Sequence, residues 1–420
     1  MSIVTGLPAF FSPQRLTEPS SVPNVRHSRS ETATDNLFVN NIRFLSMAGI
    51  IGVHTLGSSG SLFHTPSTAE SISYFTQPLK FGTIGFFLIS GFLLGERIDQ
   101  CSPTRYFVRR LRNVFLPWLV WYVLFSALRL SSDLIHRRVE QLSFTSVYHA
   151  CGQYLLTSPY WFVPNLLIAL AIILALRKHL DDIRIGFAFL VASLFYSVNI
   201  YGHWATSQHT AAVFGFVFYL WLGAWSARHF KQVEKWIVNI PKSIVLALVL
   251  LSLALALGEM RLLYVIGSND PANSLRISNQ VYSVMVVLAI VRMRSAVWPR
   301  FINVRENTFG LYLTHAIALR FVVSAMTHAH VYPVASSTWE ASMDALAFAT
   351  AMFVITYAGS LVVVRTMMAH RSLRWAIGLP VKRITLERTI NTSIPNKTIS
   401  SQLPLGSASS FEHRPSRATG

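Results

Sequence analysis

Charge is scarce in this sequence, and what there is leans one way. Asp and Glu number 18 against 36 Lys and Arg, and the four types together make up only 13% of 420 residues. With 52% hydrophobic residues and a mean hydropathy of +0.43, such a composition excludes an ordinary soluble domain and points to a polytopic membrane protein. Cysteine is nearly absent. Cys101 and Cys151 are the only two, which excludes a disulfide-stapled scaffold. The topology derived below sets them on opposite sides of the membrane, so both are read as unpaired thiols. The sequence also lacks the H-E-x-x-H spacing of a zinc site, and His328 and His330 have no metal-ligand spacing, so no metal is expected. "GSSGS" after the first apolar segment does not have the G-x-S-x-G order of a nucleophile elbow. No cleavable signal peptide and no internal repeat of the transporter kind is visible.

What is present is a series of apolar segments, at about 37–56, 75–95, 113–130, 160–176, 185–200, 210–227, 243–262, 277–291, 309–329 and 344–366. They predict an all-α fold of about ten transmembrane helices. The loops predict orientation. "ERIDQCSPTRYFVRRLR", "RKHLDDIR", "RHFKQVEKWIVNIPK" and "RMRSAVWPRFINVR" hold sixteen Lys and Arg, whereas the alternate loops hold five, Arg129, Arg137, Arg138, Arg261 and Arg276. The richer set is assigned to the cytoplasm of the inner cell membrane, and an even helix count then places both termini there. The net charge of +18 is thereby explained as topological, with anionic lipids as partners and nucleic acid excluded. Three parts are expected: a disordered segment at 1–36, a membrane domain at 37–369, and a basic, mostly disordered tail at 370–420.

"RFLSMAGIIGVH", residues 43–54, puts an arginine and a histidine at the ends of an apolar run. Eleven steps of an α-helix return almost to the starting angle, so Arg43 and His54 share a face about 16 Å apart along the axis. Hydrocarbon penalises both, so the face must meet protein or water. A neutral imidazole can take a proton from a hydroxyl, and a guanidinium suits a phosphate. Two readings are open here: catalysis, or a histidine bonded to a neighbouring helix beside an arginine that snorkels to the interface.

Other stretches carry the same double reading. In "GFFLISGFLLGER", residues 85–97, Ser90 and Gly91 either meet a ligand or pack against a helix. In "RYFVRRLRNVFLPW", residues 105–118, Arg105, Arg109, Arg110 and Arg112 exceed what topology requires and would suit a polyphosphate such as coenzyme A. "SPYWFVPNLL" sets Trp161 at the outer boundary of a helix, and "NTFGLYLTHAIALR" buries His315 and Arg320 where partners are needed.

Taken in order, these stretches resemble the acyltransferase-3 family of multipass membrane acyltransferases. Arg43 and His54 fit its R-x10-H pair, "FFLISGF" its F-F-x-x-S-G-F segment, and "RRLRNVFLP" its arginine-rich loop. "YWFVPNLL", "FYLWLGAW" and "TFGLYLTH" are similar to its later motifs, with Thr308 where serine is usual. The resemblance implies transfer of an acyl group, commonly acetyl from acetyl-CoA, to a sugar hydroxyl of a surface glycan or lipid-linked sugar, with no permanently bound cofactor. It implies His54 as base or transient acyl carrier, Arg43 at a donor phosphate or orienting the site, and the four arginines at the donor. Ser90, Gly91, Trp161, Tyr312 and His315 would line the substrate path. A transporter or flippase of a glycan or lipid intermediate is the alternative; the missing repeats and the one-sided arginine cluster speak against it.

Overall fold

A computed structural model describes residues 37–62, 66–100, 102–136, 143–329 and 338–380, and no strand occurs among them. Thirteen helices follow one another: α1 (Leu37–Leu62), α2 (Pro66–Thr76), α3 (Phe81–Gly95), α4 (Pro103–Ile135), α5 (Phe144–Thr157), α6 (Phe162–Ala175), α7 (Ile183–Gly202), α8 (Val217–Arg228), α9 (Phe230–Asn239), α10 (Lys242–Val265), α11 (Ile277–Val291), α12 (Val304–His328) and α13 (Thr338–Ala369). All ten apolar segments are helical. Seven spans are individually long and apolar enough to cross a membrane, and the α5–α6 pair, bent by 84° at its break, makes an eighth. The remaining two segments are short: α11 has 15 residues and α8 has 12. The chain is a polytopic membrane protein with an all-α fold.

Its apolar surface shows which helices face lipid. On α10, Ile244, Leu246, Leu250, Leu251, Leu255 and Leu262 are exposed, as are Ile183, Phe187, Val191 and Phe195 on α7. In water such faces would aggregate, whereas hydrocarbon solvates them. At the centre, α3 is apolar all round and mostly buried. Small residues let its neighbours close in. A Cβ added to Gly91 would strike the Leu220 carbonyl of α8, and one added to Gly223 would strike that of Leu88. The two backbones therefore touch, which is the small-residue packing of membrane helices.

Polar groups inside the bundle find protein partners. Asn41, in the first turns of α1, donates to the Ser295 carbonyl at 3.0 Å and accepts from the Val297 amide at 3.1 Å. Arg276 is fully buried. It donates to the carbonyls of Asn273 at 3.1 Å and Ala256 at 2.7 Å and to the Gln77 side chain. A charge that counts as topological in the loop tally is thus a structural tie. It fastens the α10–α11 connection, residues 266–276, into the bundle.

Past α13 the described chain continues to residue 380. Residues 371–380, assigned by sequence to the tail, turn back onto the helices: Trp121 of α4 donates to the Ala376 carbonyl at 2.9 Å, and Ala376 and Ile377 are buried. Gly378 has φ +75, and a Cβ there would collide with the Phe309 ring. Glycine suits it on both counts. Cys151 is free and half-buried; Cys101, Arg137, Arg138, His330 and the 1–36 and 381–420 segments lie outside the described residues.

Candidate active site

Helix α1 carries the site along one stripe, with Arg43 near one end and His54 near the other. Each lines a different cavity. Around Arg43 is an inner cavity of about 330 Å³ that also meets Ser90, Arg110, Arg305, Thr308 and Tyr312. Three guanidinium groups converge on it, and no carboxylate is among its lining residues. A site with that charge and that many donors is suited to phosphate oxygens. Arg110 is poised by Tyr106, whose hydroxyl accepts from Nε at 3.2 Å and from a terminal nitrogen at 2.8 Å.

The arginine block is divided by helical geometry. At about 100° per residue, Arg105, Arg109 and Arg112 fall on one stripe, and Tyr106, Arg110 and Asn113 on the next. The second stripe lines the inner cavity, and Arg105, Arg109 and Arg112 are exposed away from it. Of the four arginines assigned to donor binding, the structure brings only Arg110 to the cavity. Arg305, counted in the sequence only as a topological charge, stands there instead. Just past Arg110 the helix widens into a π turn over Leu111–Phe115, an irregularity often found at functional positions.

His54 lines two further cavities, one of about 140 Å³ with Lys80, Trp161, Phe162, His209 and Tyr312, and one of about 510 Å³ with Arg129, Tyr154, Ser158, Arg320 and His328. Phe162 and Tyr312 are shared between the inner cavity and the middle one. Their rings, 5.7 Å apart, form the partition between the arginines and His54. The Tyr312 hydroxyl donates to the Pro159 carbonyl at 2.8 Å, and Tyr160 donates to the Leu313 carbonyl at 2.7 Å. These bonds tie the α5–α6 break to α12. Non-helical backbone at this depth is tolerated where it lines a cavity and finds partners.

The neighbour of His54 is His315, with ring centroids 5.7 Å apart. His315 Nδ1 donates to the Tyr312 carbonyl at 2.7 Å and contacts that of Leu311 at 3.2 Å. A carbonyl can only accept, so in the neutral ring Nδ1 carries the proton and Nε2 is left with its lone pair. That Nε2 is buried without a hydrogen-bond partner. No carboxylate lines either cavity at His54.

Of the residues singled out in the sequence, Arg43, Ser90, Arg110 and Tyr312 gather at the inner cavity, and His54, Trp161, Tyr312 and His315 cluster beyond the partition. Trp161 is buried beside His209, 5.4 Å between ring centroids, instead of lying in an aromatic belt. Gly91 is not among the residues lining these three cavities; its missing side chain makes room for α8. Of the two readings the sequence left open for Gly91, this contact is the packing one. Lys80 and His209 were not found in the sequence, since neither stands in a recognisable motif.

A model of the acyltransferase-3 family, described as an acyltransferase domain, matches residues 36–365. No curated protein and no solved structure matches the chain.

Proposed function

The chain belongs to the acyltransferase-3 family, and from that premise we propose that it transfers an acyl group, most simply acetyl, from acyl-CoA to a hydroxyl of a sugar in an exported glycan. The observation that carries this reading is the file of cavities along α1. Arginines surround one end, His54 stands at the other, and Phe162 and Tyr312 separate them. A spacing of about 16 Å on one helix face calls for a donor whose anionic end and reactive carbonyl are far apart. An acyl-CoA thioester has that shape.

The phosphates rest against Arg43, Arg110 and Arg305 on the cytoplasmic side, and the thioester arm passes Ser90 and the Phe162–Tyr312 partition to reach His54. The acceptor enters through the larger cavity at His54, whose hydroxyl-, guanidinium- and imidazole-bearing walls suit a sugar. His54 serves the transfer as base or as acyl carrier. Membrane lipids surround a protein oriented with its basic loops in the cytoplasm of the inner membrane.

The test compares surface-glycan ester acetate, by NMR, in cells lacking the gene and in cells expressing wild type or His54→Gln, normalised to protein in the membrane. Glutamine keeps hydrogen bonding but cannot take a proton, so acetylation should fall by roughly 10²–10⁴-fold. Near-wild-type acetylation by His54→Gln would remove histidine chemistry from the reading.

A further inference from the structure

The middle cavity holds a second histidine, and this one has a carboxylate behind it. His209 Nδ1 donates to Asp270 Oδ2 at 3.1 Å. Asp270 sits in the 266–276 connection, whose position is over-determined. Lys80 donates to the Ala272 carbonyl. Asn273 donates to Asp270 Oδ2 at 3.0 Å and to the Ser207 carbonyl at 2.6 Å. Arg276 anchors the end of the segment. Burial alone would raise the Asp270 carboxyl, but the His209 bond and the nearby charges of His209 and Lys80 outweigh it and hold the group below the ordinary carboxylate range. An ionised carboxylate on Nδ1 fixes the tautomer, leaves Nε2 as the basic nitrogen and stabilises the ring once it is protonated.

His54 has a different setting. Its aromatic neighbour is His315, and no side-chain hydrogen bond of its own ring is made among the described residues. Two imidazoles thus line one cavity of about 140 Å³, and only His209 is built to accept and hold a proton. Resting on the acyltransferase reading, we propose that the two divide the reaction: His54 carries the acyl group, and His209, oriented by Asp270, is the base that takes the proton of the acceptor hydroxyl.

In the first step a His54 nitrogen attacks the thioester carbonyl, the carbon–sulfur bond breaks, and the departing thiolate takes the imidazolium proton. In the second, the hydroxyl oxygen attacks the acyl carbon while the hydroxyl proton passes to His209. The carbon–nitrogen bond breaks, and the proton moves on to the other nitrogen of the released His54 ring, the one that lost its proton to the thiolate, which restores both rings.

The test separates nucleophiles by whether they need a base. Hydroxylamine is reactive at neutral pH and can intercept an acyl-histidine unaided, whereas a sugar hydroxyl cannot. Membranes bearing wild type, His209→Gln, Asp270→Asn or His54→Gln are given radiolabelled acetyl-CoA and hydroxylamine, and CoA release is followed above the direct cleavage of the thioester by hydroxylamine in membranes lacking the protein. Glycan ester acetate is measured in the matching cells. His209→Gln should retain hydroxylamine-dependent release within about threefold while its glycan acetate falls roughly 10²–10⁴-fold, with Asp270→Asn intermediate in the second measurement. His54→Gln should lose both. Wild-type glycan acetate in His209→Gln overturns the proposal, and so does equal loss of both activities, which a merely structural His209 would give. A wild-type protein that releases no CoA and whose deletion leaves the glycan unchanged would instead overturn the acyltransferase reading beneath it.

Discussion

Arg109 and Arg110 are neighbours in sequence and opposites in space, which makes them a stringent test of the inner cavity. Arg110 lines it, and Arg109 is exposed on the adjoining stripe. Replacing Arg110 by Gln removes a guanidinium from a cavity without a carboxylate. Losing one charge-assisted bond costs about 1.5–3 kcal/mol, or a roughly ten- to hundred-and-fifty-fold weaker affinity for acetyl-CoA. Arg110→Lys should fall between, since an ammonium keeps the charge and loses the planar fork. Arg109→Gln removes the same charge from water, where the Debye length at physiological salt is about 8 Å, so its effect should be small and vanish as salt rises. The assay is equilibrium binding of acetyl-CoA to purified protein in lipid nanodiscs at two ionic strengths. Equal losses for Arg109→Gln and Arg110→Gln would refute the assignment and restore the undivided cluster.

Packing at α3 predicts that Gly91→Ala lowers the thermal midpoint, because the added Cβ meets the Leu220 carbonyl and overpacking of this kind costs about 1–3 kcal/mol. Gly359→Ala, where a Cβ meets open space, should leave the midpoint unchanged in the same thermal-shift assay. Arg276→Met orphans the Ala256 and Asn273 carbonyls and the Gln77 side chain, at about 1–3 kcal/mol for each buried group, so monodisperse protein on size-exclusion chromatography should largely disappear. Asp270 has a folded pKa below its unfolded value, so its stabilisation is complete above the unfolded value of about 3.9 and is lost as pH falls through the folded one. Asp270→Asn should therefore lower the midpoint at pH 7, with the gap to wild type closing only below about pH 4; a gap constant down to pH 3 would contradict the direction of the shift.

The pairing of Arg43 with His54 could be read from spacing alone, because both lie on one uninterrupted helix and its period is known. The same arithmetic applied to residues 105–112 would have separated Arg110 from its three neighbours; a block of like charges hid the angular question. Gly91 was illegible for a chemical reason, since an absent side chain looks alike whether a ligand or another helix fills the space. His209 and Asp270 are 61 residues apart, in connections without regular period. Their partnership is made by the fold, through Lys80, Asn273 and Arg276 holding the 266–276 connection in place. Helix existence followed from apolar length, whereas the 84° break between α5 and α6 depends on tertiary bonds from Tyr160 and Tyr312.

The shortness of α11 has a mechanical consequence for the bilayer. Fifteen residues rise about 22 Å, whereas the hydrocarbon layer is about 30 Å thick. Its neighbour α10, with 24 residues, rises about 36 Å. Two upright helices of these lengths do not match one flat membrane, and each ångström of mismatch carries a cost of a fraction of a kcal/mol. The mismatch is met by tilting of α10 or thickening of the lipid beside it, and by thinning of the lipid or inward reach of the flanking chain beside α11. The connection between them, which holds Asp270 against His209, therefore joins two helices of unequal reach. Local membrane thickness becomes one of the dimensions of the cavity it borders.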